Sequence, residues 1–381
     1  MNYFMKISRE RVFSIALIIY IIWKNVITAI KWQYNYQSIM NQLSSISMFA
    51  VIALLLYCFF LKRNFLKKQF MLFLIMLGSS LITYYVTKSN GIIFITLFLF
   101  GVEKLDYNNL IRKYAITQLI CITVILIAYF CGMSKNVISY WSYGSGISFG
   151  TYHANNFATI VLSCYLVVCY CFFKNKLWME YALGIVTFYA LWTTTLSRTN
   201  CILIMLYPVL HSLVLLFNKV KSLFVFRVLK WSSVALLVIS AFLTLFYSEI
   251  FGNSSDGTFV SRFIYSFDSL QQYGIHLFGN YIHYVSTEES LLTGVKSVIL
   301  DSAYMKLLIN YGLIATLFVL GSHIKAMNKA FKYNDYVLLI IGAIISISGL
   351  TEGMLIGISS NFILLGAWAK YKISSTVTVR E

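Results

Sequence analysis

Residues 43–61 read LSSISMFAVIALLLYCFFL, nineteen positions without a charge, and residues 62–69 continue KRNFLKKQ, with four basic side chains in eight. A run of that length crosses a hydrocarbon core about 30 Å thick as a helix, at about 1.5 Å of rise per residue. The basic cluster behind it marks the side that the segment keeps to the cytoplasm. The pairing of apolar run and basic loop recurs along the chain. Apolar windows fall at 12–30, 43–61, 70–87, 91–102, 114–132, 156–173, 179–196, 200–217, 231–248, 302–323, 335–350 and 355–369. If the first residues are cytoplasmic, the inner segments hold 22 of the 30 Lys and Arg residues. Removing the short fourth window would put the 62–69 and 218–230 clusters on opposite sides. The fold class expected is therefore all-α, a single integral membrane domain over 1–381 with about twelve transmembrane helices. Both termini are expected in the cytoplasm, in a cytoplasmic membrane.

Composition agrees. Hydrophobic residues make up 59% of the chain, charged residues 11%, and mean hydropathy is +0.77. Soluble domains carry roughly 25% charged residues, so a water-soluble fold is excluded. The formal charge of +17 is explained by alternating loops and gives no ground for a nucleic-acid partner. The seven cysteines sit in or beside apolar windows, in neither a disulfide framework nor a zinc-ligand spacing. Lys6, Arg9 and Arg11 ahead of an apolar run resemble a signal peptide, but no small-x-small cleavage site follows. The first window reads as an uncleaved helix.

One polar stretch breaks the rhythm. Residues 249–301 form a large extracytoplasmic loop between the ninth and tenth windows, holding Glu249, Asp256, Arg262, Asp268, Glu288, Glu289, Lys296 and Asp301. Within it Phe259, Val260, Phe263, Ile264, Phe267 and Leu270 recur at helical spacing, with Arg262, Ser266, Asp268 and Ser269 between them. This predicts an amphipathic interfacial helix at about 259–270.

Charges on the side that disfavours them are the informative ones. Arg198 follows a hydroxyl-rich turn, Thr193 to Ser197, where the chain re-enters the membrane. A guanidinium beside hydroxyls and helix-start N–H groups suits a pyrophosphate, and equally an arginine reaching lipid headgroups. Asp301 ends the large loop before the tenth window. It reads either as a carboxylate that accepts a proton at the membrane boundary or as an N-cap. His153 and Asn155 stand at the start of the sixth window; His153 reads as an acid–base or phosphate-binding group or as a plain loop histidine. Glu352 is an isolated acid in the turn between the last two windows. His211 and His323 fall toward the cytoplasmic side and read as structural. No Walker A loop, Asp-x-Asp metal pair or Gly-x-Ser-x-Gly elbow is present.

In their order, these motifs resemble the Wzy-type oligosaccharide repeat-unit polymerases, relatives of the O-antigen ligases, best from about residue 140 onward. Phe149-Gly150-Thr151-Tyr152-His153-Ala154-Asn155 is similar to the family's Gly-Phe-Gly-His-Pro-Asn type motif, with Ala154 in place of proline. Ser197-Arg198-Thr199 is similar to its re-entry motif, and Arg262 through Phe278-Gly279-Asn280 to its loop pattern. Asp301, Tyr304, Leu307 and Gly312 match Asp-x-x-Tyr-x-x-Leu-x-x-x-x-Gly, where ligases place a His-Asn pair. The resemblance implies polymerisation of undecaprenyl-pyrophosphate-linked oligosaccharides into a surface polysaccharide at the outer face, with no cofactor, metal or nucleotide sugar. It assigns Asp301 and His153 to catalysis, and Arg198, Arg262, Asn155, Tyr304 and Glu352 to substrate binding. The partners implied are the lipid bilayer and the flippase and chain-length regulator of the same pathway. A ligase, a lipid-linked oligosaccharide flippase or transporter, and a non-enzymatic scaffold are the alternatives. Transporters hold charges at the midplane and show related halves, whereas the charges here gather in outer loops.

Overall fold

The computed structural model describes residues 8–371 other than 62–66, 142–143, 175, 220–222, 253–257, 286–289, 291–292 and 296. Lys62 and Arg63, and Asp256, Glu288, Glu289 and Lys296 of the long loop, lie outside the described residues. The described residues are 75% helical with almost no sheet. In chain order, α1 (Arg9–Ile22) runs on through a π turn at Trp23–Ile27. Next come α2 (Tyr34–Phe60), α3 (Lys67–Thr87), α4 (Gly91–Gly101) and α5 (Tyr107–Phe130). A small antiparallel hairpin, β1 (Ile138–Trp141) with β2 (Gly144–Ile147), leads into α6 (Ala154–Val168), which also ends in a π turn, Cys169–Phe173. Then follow α7 (Leu177–Thr194), α8 (Arg198–Lys219), α9 (Leu223–Lys230), α10 (Ser232–Leu245), α11 (Tyr247–Phe251) and α12 (Thr258–Tyr273). After the loop stand α13 (Ala303–Met305) with a π turn at Lys306–Tyr311, α14 (Leu313–Lys332), α15 (Tyr336–Ser348) and α16 (Ile363–Gly366).

Among the described residues, α2, α3, α5, α6 with its π turn, and α8 over Arg198–Leu216 are long and apolar enough to cross a membrane. The pair α9 and α10, bent by 60°, makes a sixth if counted as one span. An all-α, membrane-embedded protein follows from these helices. The layering shows why. Helices α4 and α15 are apolar all round and buried almost throughout, as a helix without a polar face must be. Helices α2 and α3 turn Phe49, Phe60, Ile75 and Tyr85 outward, a surface tolerable only against lipid.

Eleven of the twelve apolar windows fold as helix, and the twelfth does not. Between Glu352 and Tyr371 the chain forms only a 3-10 turn, Gly353–Leu355, and the four-residue α16. The reason is local competition for backbone groups. Asn361 Nδ2 donates to Leu355 O at 2.9 Å, and Ser360 Oγ to Met354 O at 2.9 Å. The carbonyls freed in this way are taken up by neighbouring helices. Tyr114 Oη and Gln118 Nε2 of α5 both donate to Ser359 O at 2.5 Å, and Ser163 Oγ of α6 donates to Ser360 O at 2.9 Å. Irregular backbone at membrane depth is stable only when enclosed by protein that satisfies it, and this segment is almost wholly buried.

Polar links separate the two ends of the bundle. At one end, the Arg9 guanidinium donates to Gly101 O at 2.7 Å, Glu103 O at 2.9 Å and Cys58 O at 3.2 Å, collecting the last carbonyls of α2 and α4. Lys370 joins Leu105 and Tyr107 there, and Lys174 pairs with Asp335 at 2.8 Å. The starts of α6 and α8 and the turn after α15 therefore gather at the opposite end.

The expected helix in the long loop is α12, which extends to Tyr273. Its buried face is Phe263, Ser266 and Ser269, so the serine stripe faces protein rather than water. It packs on α10 and α11.

Candidate functional site

Arg262, Asp301 and Glu352 come from three separate elements and meet. Arg262 projects from the first turns of α12, Asp301 precedes α13, and Glu352 lies in the turn after α15, just before the 3-10 turn. The guanidinium Nη2 lies 3.1 Å from Glu352 Oε1, and Nε lies 3.5 Å from Asp301 Oδ2. The side chains of Arg262 and Glu352 are each 12% exposed, while that of Asp301 is 44% exposed and opens the cluster to one side. Burial pushes the Glu352 carboxyl up to about 7; the charge and hydrogen bond of Arg262 pull the other way, and Asp301 adds to the rise.

The cap of α13 is Ser302, not Asp301. Ser302 Oγ accepts from Met305 N at 3.5 Å and shares a hydrogen bond of 3.2 Å with Ser240 of α10. The N-cap reading of Asp301 is thereby corrected: with the helix start satisfied by its neighbour, the carboxylate is left to face Arg262. Ser302→Ala should lower stability by about 1 kcal/mol, the usual worth of a cap, read as a fall in melting temperature in detergent. The Arg262 ion pairs should survive it.

Tyr304 is fully buried, and its hydroxyl donates to Ser346 O at 2.8 Å, fastening α13 to α15.

The starts of α6 and α8 make a second group at the same end. His153 is the N-cap of α6, its Nδ1 accepting from Asn155 N at 3.2 Å, and its ring is exposed. Arg198 is the first residue of α8 and exposed. Asn200 Nδ2 ties the two helix starts, donating to Ser197 Oγ at 2.9 Å and Thr159 Oγ1 at 3.4 Å. The helix starts that carry His153, Asn155 and Arg198 are thus linked through Thr159 and Asn200.

Lys306, the charge that the sequence places inside the tenth apolar window, sits with Nζ 5.3 Å from the Tyr284 ring centroid, five residues past Asp301. One feature escaped the sequence reading, a backbone junction. Gly279 and Gly312 have φ of +82° and +88°, and a Cβ on Gly279 would lie 1.9 Å from Asn310 O. Asn280 N donates to Asn310 O at 3.0 Å and Asn310 Nδ2 returns to Asn280 O at 2.9 Å, while Leu313 N bonds His276 O at 3.0 Å. The loop thereby supplies the hydrogen bonds that the break at Gly312 removes from the helix, and fixes the chain leading to Asp301. At the other end His211 Nδ1 meets Glu180 Oε2 at 2.6 Å and Tyr207 Oη donates to Glu180 Oε1 at 3.0 Å, a buried lock between α7 and α8.

Among the described residues no three His, Cys, Asp or Glu side chains converge as a metal site. A scan against protein-family models, a search of curated proteins and a search of solved structures each return no match.

Proposed function

We propose that the protein is a glycosyltransferase of the inner membrane that polymerises undecaprenyl-pyrophosphate-linked repeat units into a surface polysaccharide. In this reading the chain crosses the membrane twelve times with both termini inside, and the last crossing is the irregular segment 353–371. The observation that carries the reading is a largely buried arginine held between two carboxylates at the less basic end of the bundle, one carboxylate poised near neutrality. Transfer needs an acceptor hydroxyl to lose its proton while its oxygen attacks the anomeric carbon. The anomeric carbon–oxygen bond to the lipid pyrophosphate breaks in the same step, and the pyrophosphate leaves with the electron pair. Glu352 takes the proton, Asp301 aligns the acceptor hydroxyl from the open side, and Arg262 and Arg198 hold the departing pyrophosphate. His153 and Asn155 stand on α6, the helix tied to the start of α8 through Thr159.

The sign of the pH dependence follows from the Glu352 carboxyl. Its proton leaves only as pH rises through about 7, so elongation should fall about tenfold per pH unit on the acid side of that value. Glu352→Gln should remove this limb together with most of the rate, in proteoliposomes carrying lipid-linked repeat units.

The reading itself is tested by gel analysis of surface glycan in a deletion strain complemented with wild type or Arg198→Ala, with membrane levels matched. Collapse to single repeat units, with the lipid-linked unit still reaching the outer face, supports a polymerase. Polymer of normal length that never reaches its final acceptor identifies a ligase instead, and units trapped inside identify a flippase.

A further inference from the structure

Beyond Arg262, α12 walls a cavity of about 330 Å³ against residues 297–298, which are held by the Val285–Val298 bridge. Tyr265 and Phe267 supply rings, and Asp268, Gln271, Gln272 and Ser297 supply polar walls. At the small end of ligand-site volumes, this space takes a compact molecule rather than a lipid chain. Its chemistry is selective. Carboxylate and carboxamide groups present acceptors and donors side by side, matching the vicinal hydroxyls of a sugar, and aromatic rings offer an apolar face to its C–H edge. The described lining contains one carboxylate and no Lys or Arg, so it disfavours a phosphate. The wall residues on α12 lie three to ten positions past Arg262, which is about 5–15 Å along the helix axis.

Resting on the polymerase reading, we infer that this cavity is a subsite for an uncharged sugar residue of the acceptor glycan, adjoining the Arg262 cluster. It holds the residue next to the new bond, so it selects which repeat unit is extended while the cluster performs the transfer.

The test uses the full-length protein in nanodiscs and, as probe, the single repeat-unit oligosaccharide cut by mild acid from the host's own surface polysaccharide. Binding is read by saturation-transfer NMR. Wild type should bind, while Gln271→Ala/Gln272→Ala should weaken binding at least about tenfold, the worth of one or two hydrogen bonds. Ser297→Trp, which fills the space, should abolish it. Gln271 and Gln272 are exposed, so their truncation leaves the fold intact. Unchanged affinity in both cavity variants, or no binding by the wild type, overturns the subsite. Failure of the polymerase reading is distinguishable, since it shows as normal polymer in a strain carrying Arg198→Ala.

Discussion

On the proposed polymerase function, Arg262→Ala should reduce polymer elongation by about a hundredfold to a thousandfold, the scale on which removing one preorganised charge-stabilising donor acts. Two losses combine. The leaving pyrophosphate loses a cation, and Glu352 loses the charge and the 3.1 Å hydrogen bond that oppose its upward shift. With burial and Asp301 unopposed, the Glu352 carboxyl climbs above about 7 and stays protonated at neutral pH, unable to accept the acceptor's proton. The residual activity of Arg262→Ala should therefore rise with pH further into the alkaline range than the wild type's. Arg262→Lys keeps a charge but not the fork that spans two carboxylates, and should retain more activity than alanine while remaining below wild type. Elongation of lipid-linked units in proteoliposomes, followed across pH at matched protein levels, checks all three statements. Wild-type rates in Arg262→Ala would remove the cluster from the chemistry.

Gly279→Ala and Gly312→Ala should each lower stability by at least about 3 kcal/mol, combining left-handed backbone strain with overpacking. A Cβ at Gly312 would approach Gly279 N to 2.3 Å and Leu277 O to 2.6 Å, so both neighbours are backbone and neither can swing aside. Pushing the loop away also breaks the reciprocal Asn280–Asn310 bonds and uncovers the helix break. The expected result is a sharp fall in melting temperature and in monodisperse yield from detergent. Gly353→Ala is the control: a Cβ there meets nothing within 4 Å, and it should change stability by no more than about 0.5 kcal/mol.

The helices were legible because a membrane helix announces itself by apolar length alone, and the disputed fourth window is the buried α4. The same signal misled at 355–369. Hydropathy reports that a segment is buried, not that it is helical, and Gly357, Ser359, Ser360 and Asn361 were the residues that argued otherwise. Arg262, Asp301 and Glu352 each stood out as isolated charges at expected boundaries. Their meeting did not, because it depends on how α12 packs against α10 and where α15 ends. Tyr304 shares a motif with Asp301, and a motif mixes packing residues with chemical ones. The Gly279–Gly312 junction is a matter of backbone angles that sequence expresses only as glycine.

The irregular segment between Glu352 and Tyr371 bears on how the protein is made. A helix brings its own hydrogen bonds and can pass from the translocon into lipid alone, whereas this stretch depends on Tyr114, Gln118 and Ser163 for its carbonyls. It has no stable place in the bilayer until α5 and α6 stand beside it. Assembly is therefore ordered by chemistry as well as by synthesis: this stretch is moulded onto a scaffold already built, and Gln118 of α5 is one of the side chains that must be in place before its carbonyls are satisfied.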